Sequence, residues 1–325
     1  MILTSDWHLH ERSAHTVLEE VIPWVADYAD RSGDLDVACL GDLFHVRNKV
    51  SVRLLNDLVD RLKEFADRGV SWTLLPGNHD QYEVGGRNAL EVLGEIDGVS
   101  VWTEPGWDHR GLWVPYRKHW RSLAEALELP APPDSPRVAY MHCSVVGAWM
   151  NDGVQASEGV DPAALSGFDV VFSGHYHRHH RVQNVVYVGS PYQTRADEAG
   201  QEKGVVQLFA GGTWEFAPVC VGKRYHKFAV RSRVDLEALD LSAVVPGDEV
   251  RVQSGVGLDP EVVSAALTAS GVDTHVVTPE QGAFESRLAV GGDESIRAYA
   301  EAYVDSVGSG LDRSELMRVF EELTS

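Results

Sequence analysis

The sequence predicts an α/β fold: a two-sheet sandwich flanked by helices, followed by a smaller α+β unit at the C-terminal end. Three observations carry this expectation. Short apolar runs of strand length alternate with stretches of helical periodicity through the first 180 residues. Polar clusters rich in Asp, His and Gly follow directly on those runs, and the composition turns basic beyond residue 221.

Taken in order, the strand-like runs fall at 2–4, 35–40, 70–75, 138–141 and 170–172, with helical periodicity at 13–30, 52–67 and 117–127. That order implies stacked βαβ units in a sheet covered on its faces. The Pro-rich stretch 131–136 reads as a loop leading into the 138 strand rather than as a linker. Beyond His177, runs at 185–188, 204–209 and 213–219, broken by Gly211-Gly212, are expected to build the second sheet. The basic stretch Lys223, Arg224, His226, Lys227, Arg231 and Arg233 opens the last unit, so domains are expected at 1–221 and 222–325. Within the latter, Leu316, Val319, Phe320 and Leu323 have helical spacing behind Asp312, suited either to a partner or to the unit's own core.

Composition sets outer bounds. With 325 residues and 44% hydrophobic content, the chain can bury a full core. The net charge of −21 argues at long range against a polyanionic substrate. Salt confines that field to about 10 Å, however, and inside such a radius two dications would outweigh the carboxylates of Asp6 and Asp42. The cysteines, Cys39, Cys143 and Cys220, are odd in number and lack C-x-x-C spacing, which fits a reducing, cytoplasmic setting. A cleaved leader would remove Asp6 and His8, so secretion is not expected. No run approaches the roughly 18 apolar residues of a membrane span.

The chemistry resides in Asp6-Trp7-His8, Gly41-Asp42, Gly77-Asn78-His79-Asp80, Met141-His142, Gly174-His175 and His177. Each follows a strand, at the sheet edge where α/β folds bind ligands. Asp6 and His8 are two apart and share a direction, as do His175 and His177. Gly41-Asp42 alone would mark only a turn. Asn78 followed by His79 sets a neutral oxygen ligand beside a titratable imidazole. As an ordered set, these residues supply the carboxylates, amide and imidazoles of a two-metal phosphoester hydrolase. Trp7, Trp149 and Tyr176 read as packing, and Cys143 as buried filler pointing away from His142. Arg47, Lys49 and Arg53, and the run Arg178-His179-His180-Arg181, are either nucleic-acid contacts or solvated faces.

The ordered pattern D-x-H, G-D, G-N-H-[DE], H and G-H-x-H resembles the calcineurin-like metallophosphoesterase superfamily. Ser5-Asp6-Trp7-His8-Leu9-His10, Gly41-Asp42-Leu43-Phe44-His45 and Tyr187-Val188-Gly189-Ser190-Pro191 are similar, within it, to SbcD-type nuclease subunits of a compact bacterial or phage kind. The resemblance covers roughly residues 1 to 220; the remainder matches the capping domain of those nucleases by position and basic character. It implies one metal held by Asp6, His8, Asp42 and His177, a second by Asp42, Asn78, His142 and His175, and Asp42 as the bridge. Asp80 is expected to fix the loop or His79. His79 is the candidate for protonating the leaving oxygen, and His45 for a supporting imidazole near the scissile phosphate. The implied function is a manganese-dependent DNA nuclease, a 3′ to 5′ exonuclease and structure-directed endonuclease. It would work as a homodimer with an SMC-like ATPase of the SbcC type. The alternatives are a small-molecule phosphodiesterase or phosphatase of the same superfamily, or a catalytically silent scaffold.

Overall fold

The computed structural model describes residues 1–279, apart from 48, 83–87, 152, 256 and 273–274. Two six-stranded sheets pack face to face. The first has the order Trp214–Val219, Lys203–Leu208, Ile2–Thr4, Asp36–Cys39, Ser71–Leu74, Val99–Val101. The second has the order His180–Val182, Val185–Tyr187, Val170–Gly174, Val138–His142, Gly111–Val114, Gly106–Asp108.

Alternation along each strand decides what each face buries. Leu3 joins Val138, Tyr140 and Phe172 in the core between the sheets, whereas Ile2 faces the helices. In the second sheet Ala139 and Met141 turn outward, towards Leu123 and Leu165. The helix Val52–Asp67 is started by Ser51, whose Oγ accepts the Leu54 amide at 3.2 Å. Its Leu54, Leu58, Leu62 and Phe65 form one apolar stripe that covers the first sheet.

Two expectations change. The strands at 204–209 and 213–219 were expected in the second sheet, but they extend the first one, because Lys203–Leu208 pairs antiparallel with Ile2–Thr4 and occupies its open edge. The strands at 138 and 170 instead pair with each other at the centre of the second sheet. Periodicity shows which face a strand buries and leaves its edge partner open. The helix expected at 13–30 is divided into a π-helical turn, Thr16–Val21, and an α-helix, Ile22–Ser32. Pro23 has no amide to offer Glu19, and the chain widens so that Ile22 N–H bonds Val17 O. The third helix begins at Trp120. The helix expected at 312–323 lies outside the described residues.

A smaller parallel sheet, Tyr225–Val230, Glu249–Ser254 and His275–Pro279, follows with the helices Arg233–Glu237 and Pro260–Ala269. Val230, Val250, Val252, Val263 and Leu267 form its own core. No described helix is long and apolar enough to cross a membrane. The three cysteines are free, Cys39 and Cys143 buried and Cys220 exposed.

Asp248 ties this small unit together. It accepts from the amides of Arg224 at 3.0 Å and Val245 at 3.2 Å, from the Arg224 guanidinium at 3.2 Å, and meets His226 Nε2 at 2.8 Å. Burial works against its charge, but the His226 and amide hydrogen bonds outweigh that and hold the carboxyl below its usual range. The stability it contributes is therefore present above the unfolded-state value of about 3.9 and lost as pH falls through the lower folded value. Asp248→Asn should cost about 1–3 kcal/mol at neutral pH by denaturant unfolding, and its deficit against the parent should shrink below about pH 3.

Candidate metal centre

Parallel registry aligns the strand ends that carry the polar clusters. Thr4 lies beside Cys39 and Cys39 beside Leu74 in the first sheet, and His142 beside Gly174 in the second. The loops leaving these ends are pinned to one another. Asp6 N–H donates to Gly41 O and His8 N–H to Asp42 O, both at 2.9 Å, and the His175 amide donates to Asp6 at 3.1–3.2 Å.

The backbone is strained where these side chains leave it. Of six described non-glycine residues with positive φ, four are Asp6 (55°), His8 (46°), Asp42 (53°) and His175 (98°). Each such residue costs on the order of 1 kcal/mol and persists only where its surroundings over-determine it.

Two donor groups result. Asp6, His8 and His177 each offer an atom within 4.8 Å of the others, and so do Asp42, His142 and His175. Asp42 faces both, with Oδ2 3.8 Å from His8 Nε2 and Oδ1 3.4 Å from His142 Nε2. Asn78 Oδ1 lies 2.9 Å from His175 Nδ1 and 3.1 Å from His142 Nε2. All seven residues expected as ligands are therefore brought together.

Hydrogen bonds behind the rings establish what those atoms present. His142 Nδ1 donates to Leu40 O at 2.8 Å, so in the neutral ring Nε2 carries the lone pair that faces Asn78 and Asp42. His177 Nδ1 donates to Glu198 Oε1 at 2.7 Å, leaving its Nε2 lone pair 2.9 Å from His8 Nε2. A proton on His8 Nε2 bridges that pair and one on His142 Nε2 bridges it to Asn78 or Asp42, and a metal ion would take the place of these protons. Nitrogen and oxygen donors without sulfur suit manganese, iron or zinc.

Titration shifts follow the same contacts. Burial disfavours charge on His142, but Asp42 overrides it and lifts the imidazole to about 9. Burial likewise works against the Asp42 carboxylate, yet the His142 imidazole holds it well below the usual range. Burial, then the charge on His142, pushes His175 down to about 3, and burial with His177 lowers His8 well below normal.

The calcineurin-like phosphoesterase family is matched by residues 1–179 of this chain. The chain belongs to that family. Exonuclease subunit 1 of Enterobacteria phage T4 is 25% identical over 210 residues, and the match spans 61% of each protein. Nuclease MPE of Pseudomonas putida, a solved structure, aligns with a TM-score of 0.31 and 14% identity over 63% of this chain and 82% of that one. As a calcineurin-like phosphoesterase, this chain is a metal-binding hydrolase with the two-sheet metallophosphoesterase fold, and its His and Asp groups could hold divalent metal.

The remaining residues of the phosphoesterase site fall as follows. Asp80 is fully buried and accepts from the amides of Gly77 at 2.8 Å, Phe44 at 2.8 Å and Leu43 at 3.3 Å, so it clamps two site loops together. The His79 amide donates to Asp42 Oδ1 at 2.8 Å, while its Nδ1 donates to His45 O at 2.6 Å. His45 is exposed, with Nδ1 3.3 Å from His8 Nδ1, and its ring lies against His10 and His79. His8, His45 and His79 also offer atoms within 4.8 Å of one another. Trp7, Tyr176 and Cys143 are buried, and Trp149 is half-buried. His179 and His180 serve the fold: the first donates to Tyr187 O at 2.8 Å, and the second accepts the Trp149 amide at 2.9 Å. Glu198 and Lys203, behind His177, carry no signal in the sequence, since neither belongs to a strand-end cluster or a periodic face.

Glycine is required at Gly41 by both conformation and space. Its φ is 98°, and a Cβ there would lie 2.2 Å from His142 Nδ1. At Gly33, φ is 71° and nothing lies within 4 Å. Gly33→Ala should therefore cost only the left-handed backbone, about 1 kcal/mol, whereas Gly41→Ala adds displacement of His142 and should cost about 2–4 kcal/mol in denaturant unfolding.

Proposed function

We propose that this chain is a two-metal DNA nuclease, a 3′ to 5′ exonuclease and structure-directed endonuclease. On this reading it works as the homodimeric nuclease subunit of a complex with an SMC-like ATPase. The observation that carries the reading is Asp42, which turns one oxygen to each donor group. One divalent metal, manganese by expectation, would be held by Asp6, His8, Asp42 and His177, and the other by Asp42, Asn78, His142 and His175. When bound, such metals activate water and neutralise charge on the phosphate oxygens.

The chain's own groups do the rest. Tying His79 Nδ1 to the His45 carbonyl leaves Nε2 for the cleft that His79 lines, where the protonated, cationic ring would hand its Nε2 proton to the departing oxygen and be left neutral. His45 supports His8 and the phosphate side of the cleft. Residues 222–325 would form a capping domain. Lys223, Tyr225 and Arg251 line the same cavity of about 930 Å³ as His8 and His177, as do Arg12 and Arg195. Cations along this rim support a phosphodiester ligand, although Asp197 and Glu198 offset part of the charge of Arg195, and the T4 relative is by its name an exonuclease subunit.

One observation favours a small-molecule phosphodiesterase. Lys223 and Arg251 both pair with Glu249, at 2.9 and 2.7 Å, which offsets part of their charge.

With manganese, the protein should release mononucleotides from the ends of linear duplex DNA. His79→Ala should retain both metals by titration yet lose roughly 10²- to 10⁴-fold in rate. Metal loss from that variant would make His79 structural. Turnover of an aryl phosphodiester with no attack on DNA, even with the ATPase present, would move the chain to the small-molecule branch. Replacing Lys223 and Arg251 by Ala should flatten the slope of log affinity for DNA against log salt by about 1–2.

A further inference from the structure

Behind His177, on the side away from the other donors, lies a buried ion pair. Glu198 is 3% exposed and Lys203 5%. Glu198 Oε1 receives His177 Nδ1 at 2.7 Å and the Thr194 hydroxyl at 2.6 Å. Its Oε2 receives the Thr194 amide at 2.9 Å and lies 2.8 Å from Lys203 Nζ. Lys203 in turn donates to His177 O at 2.9 Å, to Ser190 Oγ at 3.0 Å and to Gln201 Oε1 at 3.2 Å.

Burying two ions costs several kcal/mol each, and an apolar pair of similar volume would hold a turn at least as well. What the pair does that an apolar one cannot is grip a single residue at two points, the ring through Glu198 and the carbonyl through Lys203. His142, in the other donor group, rests instead on the neutral Leu40 carbonyl. A carboxylate at Nδ1 makes the opposite ring nitrogen a stronger base than a carbonyl does.

We propose that Glu198 is a positioning residue: held by Lys203, it fixes the tautomer and orientation of His177 and strengthens Nε2 as a donor, so that metal affinity on the Asp6, His8 and His177 side depends on a charge outside the cleft. This rests on His177 being a metal ligand. Lys203 compensates the carboxylate and does not itself act on metal.

The test is calorimetric titration of the metal-free protein with Mn²⁺ alone, beside thermal unfolding of the same samples. His177→Ala should lose one of the two manganese equivalents. Glu198→Gln should keep both but bind one of them 10- to 100-fold more weakly. The double variant Glu198→Gln with Lys203→Met no longer buries an unpaired ammonium. It should regain stability without regaining that affinity. If affinity returns together with stability, or if Glu198→Gln binds both equivalents as the parent does, Glu198 only staples the fold and the proposal is overturned. If His177→Ala still binds both equivalents, His177 is no ligand, and the proposal falls with that reading.

Discussion

The convergence of nitrogen and oxygen donors from two sheets on one small volume is the constraint around which this molecule is organised. Asp6 and Asp42 are buried within reach of four imidazoles and an amide oxygen, at separations that favour a cation among them. They are kept in place by strand ends from both sheets, by left-handed backbone at four of the residues, and by the Asp80 clamp on the Gly77 and Phe44 amides. The buried core between the sheets supports the strand ends from which these loops leave.

Much of this was legible in the sequence, for identifiable reasons. Strand-end clusters could be recognised because apolar runs and helical periodicity show where a strand stops, and parallel strands stop on one side. Strand alternation pairs Asp6 with His8, but the strand ends at Thr4 and both residues have left-handed backbone, so their bonds to Gly41 and Asp42 aim them instead. Sheet membership was not legible: strand 203–208 pairs with Ile2–Thr4 and carries 214–219 on its far side, a choice made by an open edge far away in the sequence. Pro23 was visible, yet its effect depends on how the flanking turns respond, and here they respond by widening. The ion pair behind His177 could not be seen, because Glu198 and Lys203 look like ordinary surface charges until tertiary packing covers them.

Charge presents a second lesson in scale. A protein of net charge −21 can hold a concentrated cationic centre because salt separates the two problems. The acidic surface acts on solubility and on the distant approach of a ligand, while the cleft answers to Arg12, Arg195, Lys223 and Arg251 and to whatever metal the donors hold. Glu249, paired with Lys223 and Arg251, and Asp197 and Glu198, beside Arg195, moderate that rim.

The parallel registry that sets His142 beside Gly174, in a sheet other than the one carrying Asp6 and Asp42, also has a kinetic meaning. No donor group is complete within one sheet or one short stretch of chain, since His8 and His177 are 169 residues apart. The centre can therefore close only after both sheets have formed and docked. Such non-local closure is slow, and strand edges are exposed while it waits. Metal arriving early would find only scattered ligands, whereas metal arriving late would capture the assembled state and draw the folding equilibrium towards it by mass action. Metal held across these donors would thus report that both sheets had assembled.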